Sequence, residues 1–226
     1  MTETKSWDPI WEEIFQRQEW GKYPPEHVIR FVARRFYKAP DRAAVRLLDL
    51  GCGTGACTWY MAREGFAVSG IDGSPSGLRK ATACLAQEGH SADLRTGDFV
   101  QLPWPDDYFD GVIDNAALYS NRFAECQRVC DEVLRVLKPG GYFQSANFSD
   151  CTWGYGLGEQ VEENGFINIP EGPLQGRGFA LFFGQAQLEE LFRRFTSVSM
   201  EKTSWTADSL QKLVELWIVE ARKPQP

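Results

Sequence analysis

Between residues 45 and 148 the hydrophobic pattern switches repeatedly between short apolar runs and stretches whose apolar positions recur every three or four residues. The runs at 45–50, 66–71, 92–96, 111–114 and 142–148 predict strands. Between them, the pattern predicts a helix from Ala56 to about Glu64. A second, opened by Ser74-Pro75, runs to about Gln87 with Leu78, Cys84 and Leu85 inward. A third, over residues 123–137, is stopped by Lys138-Pro139-Gly140-Gly141. A helix around 187–195, with Leu188, Leu191 and Phe192 inward, leads to two closing strands near 197–203 and 214–221. Strands alternating with helices predict an α/β fold: a doubly wound, mostly parallel sheet of seven strands with helices on both faces.

Two stretches fall outside this alternation. Residues 1–6 read as a disordered start, and Asp8-Pro9 opens a helix that carries Trp7, Trp11, Ile14 and Phe15 at helical spacing and ends near Gly21. A second helix places Val28, Ile29, Val32 and Phe36 on one face. Both precede the first strand, so they pack outside the sheet as a helical cap over residues 1–44. Residues 149–185 hold Trp153, Tyr155, Phe166, Phe179, Phe182 and Phe183 among many glycines, with Arg177 as a basic residue. A stretch of that length within a single domain spanning 1–226 predicts an aromatic lid or small subdomain.

Charge and cysteine usage narrow the classes. A formal net charge of −7 with no Lys/Arg block argues against a nucleic-acid or anionic-membrane surface. No apolar run approaches the ~20 residues of a membrane span, and the first residues lack a signal-peptide hydrophobic region. A soluble cytoplasmic protein is expected. The six cysteines form no C-x-x-C pair. Cys126 and Cys130 share a helical stripe with Phe123, Val133 and Leu134, which predicts core thiols and no metal. His27 falls on the side of Arg30 and Arg34, opposite Val28 and Val32, and is expected in solvent; His90 follows Gly89 in a surface connection.

The candidate chemistry sits at residues 47–58, where a strand runs into a turn of Gly51, Gly53 and Gly55 and then a helix. Such a turn brings backbone N–H groups and a helix N-terminus against a nucleotide-like ligand. Gly51, Gly53 and Ala56 satisfy a loose G-x-G-x-x-[GA] pattern. Asp49, two residues before the first glycine, repels a pyrophosphate and attracts an ammonium or sulfonium.

Asp49-Leu-Gly-Cys-Gly-Thr-Gly55 resembles motif I of the class I S-adenosylmethionine-dependent methyltransferases at each fixed position. Pro103-x-x-Asp106-x-x-Phe109-Asp110 and Leu137-Lys-Pro-Gly-Gly141 are similar to further patterns of that family. The resemblance implies S-adenosyl-L-methionine as cofactor, and an antiparallel hairpin at the C-terminal edge. It implies a cofactor site built from Asp49, Gly51, Cys52, Gly53 and Gly55, from Asp72, Gly73 and Ser74 at the ribose, and from Asp98 and Phe99 at the adenine. Asn115 and Ala116, with Leu118 and Tyr119, would border the transferable methyl group.

In-line methyl transfer needs alignment and exclusion of water, with no obligatory metal or covalent residue. Asp114-Asn115-Ala116-Ala117 lacks the Pro-Pro-aromatic motif of relatives that methylate nucleic-acid amines, so a small-molecule acceptor is expected. Its pocket is expected from Trp153, Tyr155, Phe179 and Phe183 on one side and Trp11 and Tyr23 on the other. Arg177 is its insertion cation, and Tyr119 or Glu162 is the candidate base. Two other readings are a nicotinamide-dependent oxidoreductase, against which Asp49 and Asp98-Phe99 count, and a non-catalytic cofactor-binding protein.

Overall fold

The computed structural model describes residues 7–225; the start expected over residues 1–6 lies outside them. Two helices come first, α1 (Ile10–Arg17) and α2 (Glu26–Phe36). The alternating region follows as β1 (Arg46–Leu50), α3 (Ala56–Arg63), β2 (Ala67–Asp72), α4 (Pro75–Gln87), β3 (Asp93–Thr96), β4 (Phe109–Asn115), α5 (Phe123–Val136) and β5 (Leu137–Phe148). Three short strands, β6 (Glu159–Glu162), β7 (Gly165–Ile167) and β8 (Ala180–Leu181), precede α6 (Gln185–Leu191). The chain closes with β9 (Thr196–Ala207) and β10 (Lys212–Arg222).

Seven strands form one sheet in the order β3-β2-β1-β4-β5-β10-β9. The first five are parallel, and β10 runs antiparallel to both β5 and β9. From β1 the chain winds outward through β2 and β3, then returns to place β4 on the other side of β1. That reversal opens a crevice at the carboxyl ends of β1 and β4, where open α/β sheets bind ligands.

The period of two along each strand sends alternate side chains to two cores. Leu48, Leu50, Val112 and Phe143 pack with Val129 and Val133 of α5 and Leu188 of α6. Leu47 and Ile113, one residue out of phase, pack on the other face with Phe31 and Val32 of α2 and Met61 of α3. All of these are buried, and each contributes about 1.5–3 kcal/mol relative to an exposed side chain.

Several boundaries differ from the pattern's prediction. Helix α1 stops at Arg17 because Gln18 turns to an extended backbone. Helix α6 starts earlier and stops at Leu191; the Gln187 side chain accepts from the Gly184 N–H and so fixes its start. The Lys138–Gly141 breaker is already part of the β5 ladder: Gly140 donates to the Lys223 carbonyl, and Lys223 donates back to Gly141. The aromatic insertion is a subdomain with its own three-stranded antiparallel sheet, β6-β7-β8.

Candidate functional site

The turn leaving β1 is glycine by steric necessity. At Gly51, with φ +72°, a Cβ would come 2.2 Å from the Ala117 Cβ, and at Gly53, with φ +49°, one would press on the Phe15 ring at 3.0 Å. Above this turn, at the carboxyl edge of the sheet, lies a cavity of about 320 Å³. Asp49, Gly51, Cys52, Gly53 and Thr54 form its floor, Asp72, Gly73 and Phe99 one flank, and Asn115, Ala116 and Tyr119 the other. Trp7, Trp11, Phe15 and Trp20 cover it, and Phe148, Pro173, Leu174 and Arg177 complete the wall.

Two carboxylates dominate the floor. Asp49 accepts from the Thr58 hydroxyl at 2.6 Å; burial pushes its carboxyl up to about 7 against that bond's opposite pull. Asp72 accepts from the N–H of Ser74 at 2.8 Å and of Gly53 at 2.9 Å. Burial raises its carboxyl to about 6, with those two bonds acting the other way. Two buried acids sharing one cavity create a strong preference for a ligand bearing a cation and hydroxyl donors.

The flank after β4 is shaped by Asp114. It is fully buried and accepts from Ala117 N, Leu118 N, the Ser145 hydroxyl and the Asn147 amide. This network holds Ala116 at φ +57° and turns residues 115–119 over the cavity. Asp114 builds the wall without lining it. Tyr119 sits in that turn, its phenol pushed up by burial while the Arg177 charge acts oppositely. Such a phenol is a poor base.

Helix α1 is fastened across the site. Glu12 accepts from the hydroxyls of Ser74 and Ser76 and from the Ser76 N–H at 3.1 Å, so it caps α4 from outside. Burial tends to raise the Glu12 carboxyl, yet these bonds bring it down to about 2. Trp7 lies flat against Gly73, where a Cβ would come 2.3 Å from the indole.

The cavity thus gathers Asp49, Gly51, Cys52, Gly53, Asp72, Gly73, Phe99, Asn115, Ala116, Trp11, Tyr119 and Arg177 of the residues expected from sequence. Gly55, Ser74 and Asp98 stand behind its wall. Gly55 lets Ala81 approach, Ser74 caps α4 through the Gly77 N–H, and Asp98 accepts from the Val100 N–H.

Most of the expected aromatic wall is elsewhere. Phe183 is fully buried, and its carbonyl accepts from the Trp217 indole at 2.8 Å. Tyr155 packs on Phe166 and Phe182, Phe179 lies beneath Arg122, and Trp153 beneath Lys212. Phe183 belongs to the core of the main sheet, whereas Tyr155 is 40 % exposed and Trp153 and Phe179 are half-buried. Tyr23 is 74 % exposed and meets Trp59 edge-on. Glu162 accepts from the Phe123 N–H at the start of α5, away from the cavity.

His27 is a correction of a different kind. Its Nε2 lies 3.2 Å from Asn115 Oδ1, and burial lowers its pKa. The helical phase of α2 turns it from Val28 and Val32 toward the end of β4, not toward solvent. Phe15, Trp20, Phe148 and Leu174, like Trp7, line the cavity without belonging to the site expected from sequence. The crowding of Trp7, Trp11, Phe15 and Trp20 before the first strand was the available signal for the first two; nothing marked Leu174.

Among the described residues, no group of His, Cys, Asp and Glu is placed to hold a metal, and no helix is long and apolar enough to cross a membrane. The glycine floor, the acid two residues before it and the acid ending β2 fit an adenosyl amino acid, with Asp49 and Asp72 as the residues that would meet its ammonium and its ribose hydroxyls. The chain is 39% identical over 108 residues to a demethylmenaquinone methyltransferase of Tropheryma whipplei, covering 47% of this chain and 43% of that protein. It is 36% identical over 114 residues to an uncharacterized methyltransferase of Synechocystis, covering 48% and 52%. The chain therefore spans about half the length of the curated relatives it matches. The fold is that of a SAM-dependent methyltransferase from Methanosarcina mazei, with TM-score 0.70 and 23% identity over 90% of this chain and 100% of that one. The family model for the methyltransferase domain matches residues 41–203, and the chain belongs to that family.

Proposed function

We propose that the protein is an S-adenosyl-L-methionine-dependent methyltransferase acting on a small-molecule acceptor, in the cytoplasm, with no nucleic-acid partner. The observation that carries this is the pairing of buried Asp49 and Asp72 across a turn whose glycines leave no room for side chains. Bound there, the cofactor supplies an activated methyl group on a sulfonium. Asp49 balances the ammonium, and Asp72 accepts from the ribose hydroxyls with the lone pairs its two backbone bonds leave open. Phe99 packs against the adenine, and Asn115 and Ala116 border the methyl group.

The chain's further contribution is alignment and exclusion of water. Trp7, Trp11 and Phe15 cover the glycine turn, and Glu12 fastens them to α4. Tyr119, Phe148 and Leu174 leave an apolar space beside Asn115 for the acceptor. An acidic chain supports a small acceptor over a polyanion. Incubation with methyl-labelled cofactor and a panel of small acceptors tests the reading: label transferred to any of them supports it. Tight cofactor binding with no transfer to a broad panel favours a binding protein.

A further inference from the structure

Among the described residues, Arg177 is the one cation lining the cavity, and no carboxylate forms an ion pair with it. The guanidinium lies 4.7 Å from the centre of the Trp20 ring and 5.4 Å from that of Trp11. Stacking of this kind engages the flat face and leaves the in-plane N–H donors available. Of the other ring-stacked arginines, Arg42 also pairs with Glu64, Arg95 with Asp93 and Arg122 with Glu162, while Arg46 over Tyr108 and Arg63 over Trp59 have no ion pair among the described residues but lie outside the cavity. Arg177 makes no side-chain hydrogen bond or ion pair among the described residues. Asp8, which packs against Gly178, is occupied by the N–H groups of Ile10 and Phe179.

The cavity lining therefore carries charge of both signs. The carboxylates of Asp49 and Asp72 serve the cofactor, and Arg177 stands near Tyr119, whose phenol feels its charge. Apolar rings also line the walls, with Tyr119 edge-on to Trp11 at 6.2 Å and to Phe148 at 5.1 Å. We propose that the acceptor is a planar, largely apolar molecule carrying an oxyanion, and that Arg177 is the residue that selects it. The proposal rests on the methyltransferase reading for the word acceptor; the anion preference of the cavity is testable without it. A carboxylate and an ionised ring hydroxyl share the required chemistry, since the guanidinium fork donates to either.

The test uses 2-naphthoate and its neutral isostere 2-naphthamide as probes, with S-adenosylhomocysteine bound, read by calorimetry and by quenching of tryptophan fluorescence from Trp11 and Trp20. The expected result is binding of the carboxylate at least about tenfold tighter than the amide. Arg177→Gln removes that preference, Arg177→Lys keeps part of it, and Arg122→Gln leaves it intact, with homocysteine-product affinity unchanged in all three. Equal affinity for the two probes, a preference that survives Arg177→Gln, or no binding of either probe to the product-bound protein overturns the proposal. Failure of S-adenosylhomocysteine to bind is a different outcome. It removes the methyltransferase reading, and the two probes alone then decide the anion preference. A 2-naphthoate preference followed by methyl transfer to an anionic acceptor, but not to its neutral ester, extends the proposal to turnover.

Discussion

Asp72 Oδ2 accepts from the Gly53 N–H at 2.9 Å, tying the end of β2 to the glycine turn that leaves β1. One carboxylate thus shapes the turn and lines the cavity. Asp72→Asn keeps one acceptor oxygen but loses the charge, and cofactor affinity should fall by ~1.5–3 kcal/mol. Asp72→Ala should also destabilise the cofactor-free protein, by ~1–3 kcal/mol for each N–H left unpaired. Calorimetry and urea unfolding measure the two effects separately. Unchanged affinity in Asp72→Asn would remove Asp72 from the ribose role.

Cofactor affinity should rise with pH. The Asp49 carboxyl is held at about 7 against 3.8 for a free aspartate, chiefly by burial. The folded, ligand-free chain therefore keeps a proton that the unfolded chain releases. The stability this provides is full below pH 3.8 and is lost as pH rises through 7. Asp72, raised to about 6, adds in the same direction. A bound ammonium favours the carboxylate and expels the proton, so affinity should climb by up to about tenfold per pH unit below 7 and level off above it. Titrations at pH 6 in buffers of different ionisation enthalpy should show proton release; proton uptake contradicts this.

Glu12→Ala should loosen α1 without unfolding the sheet. It removes the outside cap from α4, an effect of about 1 kcal/mol for a capping group, and frees the cover formed by Trp7, Trp11 and Phe15. Cofactor dissociation should accelerate roughly fivefold, as that energy implies, and amide exchange should rise over residues 10–17. Wild-type dissociation with undisturbed exchange would leave α1 as a fixed part of the wall.

Phe183 separates core from lid. Its side chain is fully buried in the main core, so Phe183→Ala should cost ~3–5 kcal/mol of stability. At a temperature where the variant is folded, its acceptor preference should match wild type. A change of acceptor range at unchanged stability would restore the lid role that the insertion's composition suggests.

The strand–helix alternation and the glycine turn were legible because both are local. Period, glycine sterics and the position of Asp49 lie within a few residues of one another. Asp72 followed because a β-α-β unit has a near-fixed length. The insertion was misread because aromatic content reports burial and not direction. Tyr155 packs on Phe166 and Phe182, Phe179 lies beneath Arg122 and Phe183 joins the core of the main sheet, while Leu174 and Arg177 reach the cavity from a loop. His27 was misplaced for a related reason: helical phase separates it from the α2 stripe, but only the tertiary position of β4 puts Asn115 opposite it.

The most direct test of the account is a calorimetric titration of the purified protein with S-adenosylhomocysteine, S-adenosylmethionine and a nicotinamide dinucleotide, each followed by thermal melting. Binding of the first two, with stabilisation of ~2.7 kcal/mol at a hundredfold excess over the dissociation constant and no response to the dinucleotide, is the expected result. A response to the dinucleotide alone would contradict it.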